Sequence, residues 1–181
     1  HKPGVDFIAN GFERVNDPDR KGLIAANSHL PGEEIHRLTH IPRSSEDLLK
    51  KQECTRLLCR QAGGCIQRCM GIDALNAISV ITKDCDDAYG TEYYPRFVEF
   101  MKYFQKNDLV GNCAQSDVKG DRSKRPFEQS DPDLYLRVVE RRKDGIVVRG
   151  AKAHNSFAPL ANEIIAIPTR FLTPEEGDWA V

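Results

Sequence analysis

An α+β fold is predicted, and three observations predict it. Apolar residues recur at three- and four-residue steps through the middle of the chain, that period gives way near residues 108–112, and short β-branched runs with an Asp144-Gly145 turn signal follow. Helices followed by antiparallel strands are the pattern of α+β chains, or of two sub-domains with a seam at 108–112. Three regions are expected: an irregular lead-in over 1–43, a helical region over 44–110, and the start of an antiparallel β region over 111–181.

The lead-in carries Pro3, Pro18, Pro31 and Pro42 with Gly4, Gly11, Gly22 and Gly32, which breaks any long periodic element. Ser44-Ser45-Glu46-Asp47 then offers an N-cap hydroxyl with acids in the first turn, and Leu48, Leu49, Leu57 and Leu58 continue a helix over about 46–61. After Gly63-Gly64 a second helix is expected to carry Cys65, Cys69, Ile72, Leu75, Ile78 and Ile81 to about Tyr89, where Gly90 stops it. A third starts at Thr91 or Glu92, with Phe97, Phe100, Met101 and Phe104 as its core face. Residues 111–133 are polar and turn-rich. Strands are then predicted over 134–141, over 146–151 on the far side of Asp144-Gly145, and over 163–167, closed by Pro168.

Composition excludes several function classes. With 26 basic and 27 acidic residues interspersed, the formal charge is −1, so no single-sign field invites nucleic acid or an anionic membrane. No apolar run reaches the roughly 18 residues of a membrane span, and no secretory leader is visible, so a cytoplasmic location is expected. The six cysteines sit in a chain of ordinary core composition, which favours thiols or metal ligands over disulfides. Beginning at His1 and stopping at Val181 directly after Trp179-Ala180, the chain reads as a fragment of a longer protein.

Three stretches carry candidate chemistry. Cys65 and Cys69 are four positions apart in a run that reads as helix, so both sulfurs would lean over one face; a soft metal accepts two such thiolates but wants four ligands. The neutral alternative is a pair of buried small apolar side chains. Gly63, Gly64 and Gly71 flank the pair and suggest that something bulky comes close. Further along, Gln115-Ser116-Asp117-Val118-Lys119-Gly120-Asp121-Arg122-Ser123 gathers hydroxyls, carboxylates and cations around one Gly. Such a loop suits a phosphate or the polar edge of a heteroaromatic ring, or else it is a solvated loop with an internal Asp–Arg pair. A second polar knot, Lys152-Ala153-His154-Asn155-Ser156, follows the returning strand. His36 and His40 share the one-turn spacing, but no third ligand of matching pattern stands beside them.

These stretches resemble the 4-hydroxyphenylacetate 3-monooxygenase flavoprotein family and, within it, the 4-hydroxybutyryl-CoA dehydratase branch. The matching text is His36-Arg-Leu-Thr-His40-Ile41, Cys65-x-x-x-Cys69-x-Gly71-x-Asp73-Ala-Leu-Asn76, Asp117-x-Lys-Gly-Asp-Arg-Ser123, Asp131-Pro-Asp-Leu-Tyr-Leu-Arg-Val-Val-Glu140 and Asp144-Gly-Ile-Val-Val-Arg-Gly-Ala-Lys-Ala-His154. It covers roughly residues 36–168. The Val-x-Gly-Ala-Lys text indicates the flavin superfamily, and the Cys-x-x-x-Cys run with Lys-Gly-Asp-Arg points to the dehydratase branch.

The resemblance implies an acyl-CoA dehydrogenase-like fold with a barrel-like β domain and a C-terminal helical bundle beyond Val181. It implies FAD contacted by Gln115, Ser116, Asp117, Val118, Lys119, Gly120, Asp121 and Arg122 and by His154, Asn155 and Ser156, the last in place of the family's usual Thr. Cys65 and Cys69 would be two ligands of a [4Fe–4S] cluster whose other ligands, and the catalytic base, lie beyond Val181. The implied reaction is a flavin-mediated radical dehydration of an acyl-CoA substrate, 4-hydroxybutyryl-CoA, to crotonyl-CoA, with vinylacetyl-CoA isomerisation, in a homotetramer; the fragment alone would be inactive. One rival is a hydroxylase of aromatic substrates using reduced FAD, in which both cysteines are packing residues. Another is a non-enzymatic zinc-stabilised module closed by Cys54, Cys59, Cys65 and Cys69, or by His36 and His40. Cys54, Cys59, Cys85 and Cys113 are read as packing thiols.

Overall fold

A computed structural model of the chain describes residues 18–66 and 68–181, with only the backbone of Cys69 and Met70. Helices and strands are mixed, and the chain divides into two compact units, His1–Gly111 with Leu160–Glu163 and Asn112–Pro159 with Ile164–Val181.

In the first unit the lead-in is more ordered than its Pro and Gly content suggests. A helical turn, α1 (Lys21–Ile24), runs into β1 (Ala25–Asn27), which pairs antiparallel with β2 (Glu34–His36). Three-residue strands between turns are too short to show a period. The buried Arg37 binds this turn together, its Nε donating to Leu23 O at 2.5 Å and its Nη2 to Gly22 O and Ala25 O at 3.1 and 2.6 Å. A guanidinium is well matched to the free carbonyls at the end of a helical turn.

The first long helix, α2 (Ser45–Ala62), begins where the sequence indicates: Ser44 Oγ accepts from Asp47 N at 3.1 Å, and Asp47 Oδ2 accepts from Arg43 N at 3.0 Å. Its end is set by Gly63 in the left-handed region (φ 72°), with Gly64 N donating to Cys59 O at 3.0 Å. Its buried stripe, Lys51, Cys54 and Leu58, follows helical spacing, and Cys54 and Leu58 pack with Ile24, Leu38 and Ile66 in one apolar cluster.

Next come α3 (Cys69–Tyr89) and α4 (Tyr93–Lys106), joined across Gly90 at φ 66°. No side chain within α4 caps its start. Asp86 of α3 does so instead, Oδ1 accepting from Thr91 Oγ1 at 2.6 Å and Tyr93 N at 2.8 Å, and Oδ2 from Tyr94 N at 2.9 Å. Burial of Phe97, Met101, Phe104 and Gln105 is the expected amphipathic stripe with one polar member. Gln105 accepts from Ser28 Oγ at 2.6 Å and donates to Thr39 O at 2.7 Å, which meets the demand that buried polar groups be paired.

The second unit is built on two-stranded pieces. β3 (Gly111–Ala114) pairs with β6 (Glu163–Ala166), and β4 (Arg137–Arg141) with β5 (Ile146–Arg149). The β4–β5 register runs Arg137↔Arg149, Val138↔Val148, Glu140↔Val147, Arg141↔Ile146, with a bulge between Val138 and Glu140. The Asp-Gly signal locates the hairpin but not its turn type. The loop takes four residues, closed by Arg142 N donating to Gly145 O at 2.8 Å, and Gly145 is not among the positive-φ glycines. Among the described residues no sheet has more than two strands, and none closes into a barrel.

Candidate functional site

The polar stretch after β3 and the knot after β5 meet in the second unit. There a cleft of about 430 Å³ is lined by Ser116, Asp117, Val118, Lys119, Gly120 and Arg122 from the first stretch, by His154 from the second, and by Tyr135, Thr169 and Arg170. That volume lies within the usual range of small-ligand sites. Four residues singled out beside these, Gln115, Asp121, Asn155 and Ser156, do not line it.

Gln115 supplies backbone instead: its carbonyl accepts from Lys152 Nζ at 3.4 Å and from Thr169 Oγ1. Asp121 turns back on its own loop, Oδ1 accepting from Ser123 N at 3.0 Å and Ser123 Oγ at 2.6 Å. These hydrogen bonds hold its carboxyl below the usual carboxylate range. Asp121 N and O are both taken by the side-chain amide of buried Gln129, at 3.0 and 2.8 Å. At Gly120 a Cβ would meet the side-chain ends of Gln129 and Leu134, so the bend packs closely against both. Asn155 O accepts from Ala158 N at 3.0 Å, and Ser156 is exposed.

Close backbone approach also sets the far wall. At Gly150 (φ 123°) a Cβ would collide with Tyr135 O, and only a glycine lets the chain pass there before Ala151 bridges to Tyr135. His154, at the cleft, takes φ 58°, an uncommon conformation for a side-chain-bearing residue. The Tyr135 ring is buried, with the Arg170 guanidinium 5.9 Å from its centroid. Arg170 Nη1 donates to Lys124 O at 3.2 Å.

The electrostatics favour an anion. Asp117, the one carboxylate in the lining, is paired with Lys152 Nζ at 2.6 Å. Among the described residues Lys119 and Arg122 have neither a hydrogen bond nor an ion pair, which leaves their donors to the cleft. No internal Asp–Arg pair involving Arg122 forms. Sequence reading missed Tyr135, Thr169 and Arg170. The only signal for the last two was their place directly after a strand end at Pro168.

The cysteine stretch differs from its predicted form. Gly63 ends α2 in the left-handed region, and the helix resumes only at Cys69, so Cys65 is exposed and off the helix and the two residues do not share a helical turn. Buried Arg68 stands just before that start, its Nη2 donating to Asp108 Oδ1 and to Asp108 O at 3.4 Å. The flanking glycines have separate causes: Gly63 is a cap, nothing lies within 4 Å of a Cβ at Gly64, and only Gly71 answers to a close approach, by the backbone of Gly111. The Cys69 side chain lies outside the described residues.

Other thiols and imidazoles are committed to the fold. Burial pushes the Cys54 thiol up to about 11 and raises that of Cys113. His36 Nδ1 accepts from Leu38 N at 3.1 Å within a short 3₁₀ segment, and His40 Nε2 is 3.8 Å from Asp47 Oδ2, with its ring edge-on to His29 at 5.7 Å. Among the described residues no group of three or more His, Cys, Asp or Glu is placed to hold a metal ion. No helix among them is long and apolar enough to cross a membrane.

The profile of the 4-hydroxyphenylacetate 3-hydroxylase N-terminal family matches residues 1–181. A 4-hydroxybutyryl-CoA dehydratase/vinylacetyl-CoA-Δ-isomerase from Clostridium aminobutyricum is 43% identical over 180 residues, 99% of this chain and 37% of that protein. Among solved structures, an oxygen-tolerant archaeal 4-hydroxybutyryl-CoA dehydratase from N. maritimus superposes with a TM-score of 0.93 at 39% identity, over 99% of this chain and 35% of that one. The oxygenase component of a 4-hydroxyphenylacetate 3-monooxygenase, solved with FAD, has the same fold, with a TM-score of 0.79 at 24% identity over 98% of this chain and 36% of that one. The chain therefore spans little more than a third of the length of these relatives.

Proposed function

The chain belongs to the 4-hydroxyphenylacetate 3-hydroxylase N-terminal family, and from that premise we propose that it is part of an FAD-dependent 4-hydroxybutyryl-CoA dehydratase with vinylacetyl-CoA isomerase activity. The observation that carries the reading is the cleft of the second unit. Two stretches more than 30 residues apart converge there, and Lys119 and Arg122 of the first are left without protein partners.

The donor set fits FAD. Lys119 and Arg122 suit its diphosphate, while the backbone turn at Gly120, His154 and the polar side chains of Ser116 and Thr169 suit the edge of its ring system. FAD is larger than 430 Å³, so part of it would rest on segments that the longer relatives possess. When bound, flavin would supply reversible electron transfer. This chain's residues bind it, orient it and keep its charged end paired. Residues 44–110 would then be a helical domain and 111–181 the start of the flavin-binding β domain of an acyl-CoA dehydrogenase-like enzyme.

Cys65 and Cys69 are proposed as two thiolate ligands of a [4Fe–4S] cluster. Cys65 is exposed with open space around its glycine neighbours, as a ligand needs to be, but the described residues offer no complete ligand set, so the other ligands must come from the rest of the polypeptide. The aromatic hydroxylase remains the second reading, favoured by the absence of a shared helical turn for the two cysteines.

Iron, acid-labile sulfide and flavin content of the full-length protein, purified without oxygen beside a Cys65→Ala/Cys69→Ala variant, separates them. About four irons and one flavin per chain, with iron alone lost in the variant, supports the dehydratase. Flavin without iron sinks it and leaves the hydroxylase.

A further inference from the structure

Three stretches wall the second-unit cleft, and they meet at a side chain that is not in the lining. The stretch after β3 carries Ser116 to Arg122, the stretch after β5 carries His154, and the stretch after β6 carries Thr169 and Arg170. Lys152 belongs to the second of these. Its ammonium donates to Asp117 Oδ1 at 2.6 Å and Gln115 O at 3.4 Å on the first, and to Ile167 O at 2.9 Å on the third. All three of its N–H donors are thereby used, and the side chain is 6% exposed.

The surrounding backbone converges on the same point. Asp117 and Lys152 form an antiparallel bridge, Ala153 N donates to Ser116 O at 2.8 Å, and Thr169 Oγ1 donates to the same Gln115 carbonyl that Lys152 reaches. The second unit has no broad sheet to hold these three strand ends at fixed spacing. A buried charge survives only when paired and fully hydrogen-bonded, so the acceptors must stay where the ammonium needs them.

We infer that Lys152 is the positioning residue of the cleft: its ammonium fixes the spacing of the three walls and, through them, the placement of Ser116, His154 and Thr169 against the flavin. The inference rests on the flavin reading of this cleft. Lys152 touches no ligand itself, and its contribution is to hold the donor set in one geometry before the cofactor arrives. That same role keeps the Asp117 carboxylate neutralised, so the anionic cofactor meets only the positive charge of Lys119, Arg122 and Arg170.

The test uses the full-length apoprotein with FAD as the probe. Its dissociation constant is read from flavin fluorescence quenching in the unsubstituted, Lys152→Arg and Lys152→Met proteins, each beside its thermal midpoint and the visible spectrum of bound flavin. Lys152→Arg keeps the charge and the pair with Asp117, but a planar fork cannot direct three donors to acceptors spread around one point. The expected result is a folded protein with a midpoint close to the original, a dissociation constant raised about tenfold or more, and a shifted flavin band. For Lys152→Met the expected rise is about a hundredfold. Should that variant fail to fold, the arginine variant decides alone. A folded Lys152→Arg protein that binds FAD within about twofold of the original overturns the inference, as does an affinity loss that only tracks a fallen midpoint. Failure of the unsubstituted protein to bind FAD is a separate result, which overturns the flavin reading itself.

Discussion

Phe104 and the side chain of Lys152 are both enclosed, one in each unit, and they hold their surroundings by different forces. Phe104 sits fully enclosed on the stripe of α4, in a unit with an extensive apolar core: Ile24, Leu38, Leu58, Ile72, Leu75, Met101 and Phe104 are each 3% exposed or less. That unit also buries Ser28, His36, Arg37, Thr39, His40, Lys51, Arg68 and Gln105, of which Arg37 and Gln105 donate to backbone carbonyls. In the second unit only Ala114, Pro126, Tyr135, Val138 and Phe157 are buried apolar residues among those described, and the enclosed charged or amide side chains of Lys152, Glu176 and Gln129 make connections across it. Glu176 has no exposed surface and accepts from Arg125 Nε at 2.8 Å and Thr173 N at 2.7 Å. Apolar packing is non-directional and tolerates small displacements, whereas a network of charged hydrogen bonds fixes distances. The unit with the candidate cleft is the one with the smaller apolar core, so less of its geometry rests on packing and more on such hydrogen bonds.

The largest expected effect breaks the first unit through its core. Phe104→Ala should lower stability by about 3–5 kcal/mol, read as an early loss of helical circular dichroism in urea. A loss below about 1 kcal/mol would mean that the first unit does not depend on apolar packing as described. Gln105→Leu is next. It fits the apolar surroundings but strands Ser28 Oγ and Thr39 O, and should cost about 2–4 kcal/mol by the same measurement.

Acid should separate the two units. Burial holds His40 and His29 below the ordinary histidine value, with Asp47 opposing the shift in both. The unfolded chain therefore binds protons more readily, and the first unit keeps full stability above about pH 6.5 and loses it as pH falls toward the folded values. Glu176 is held below the ordinary carboxyl value, mainly by its hydrogen bond from Arg125. Its contribution is complete above about pH 4.3 and disappears as pH falls through the lowered value. Urea unfolding followed at two wavelengths reads each unit, because the single tryptophan, Trp179, lies in the second and the long helices in the first. Between pH 7 and 5 the helical signal should weaken first; a simultaneous loss of both signals would contradict the separation.

The smallest expected effect refines the reading of the glycines. Gly63→Ala places a Cβ in a left-handed cap with free space around it and should cost only about 1 kcal/mol. Gly150→Ala meets the Tyr135 carbonyl as well as an unfavourable φ, so its thermal midpoint should fall further than that of Gly63→Ala.

Much of the first unit was legible from local chemistry. Ser44 and Asp47 mark the start of α2, Gly90 the end of α3, and the aromatic spacing of 97–104 the buried face of α4. What escaped was short or non-local. β1 and β2 are three residues each, and β3 (Gly111–Ala114) has no β-branched residue, while its partner β6 lies some fifty positions away. Cys65 was misplaced onto a helix because periodicity does not register a left-handed cap followed by an extended segment. In the cleft, Ser116 to Gly120, Arg122 and His154 were visible as polar clusters, whereas Tyr135, Thr169 and Arg170 carried no distinguishing composition.

By itself the amino-acid sequence determined the mixed α+β class, the long helices and the chemical character of the two polar stretches, because caps, turn residues and apolar periods act within a few residues of each other. Tertiary structure alone decided that those stretches face one another, that Asp117 is neutralised while Lys119 and Arg122 are not, and that Lys152 joins three strand ends. Those outcomes depend on which distant groups compete for the same donors and acceptors, and that competition exists only once the chain has brought them together.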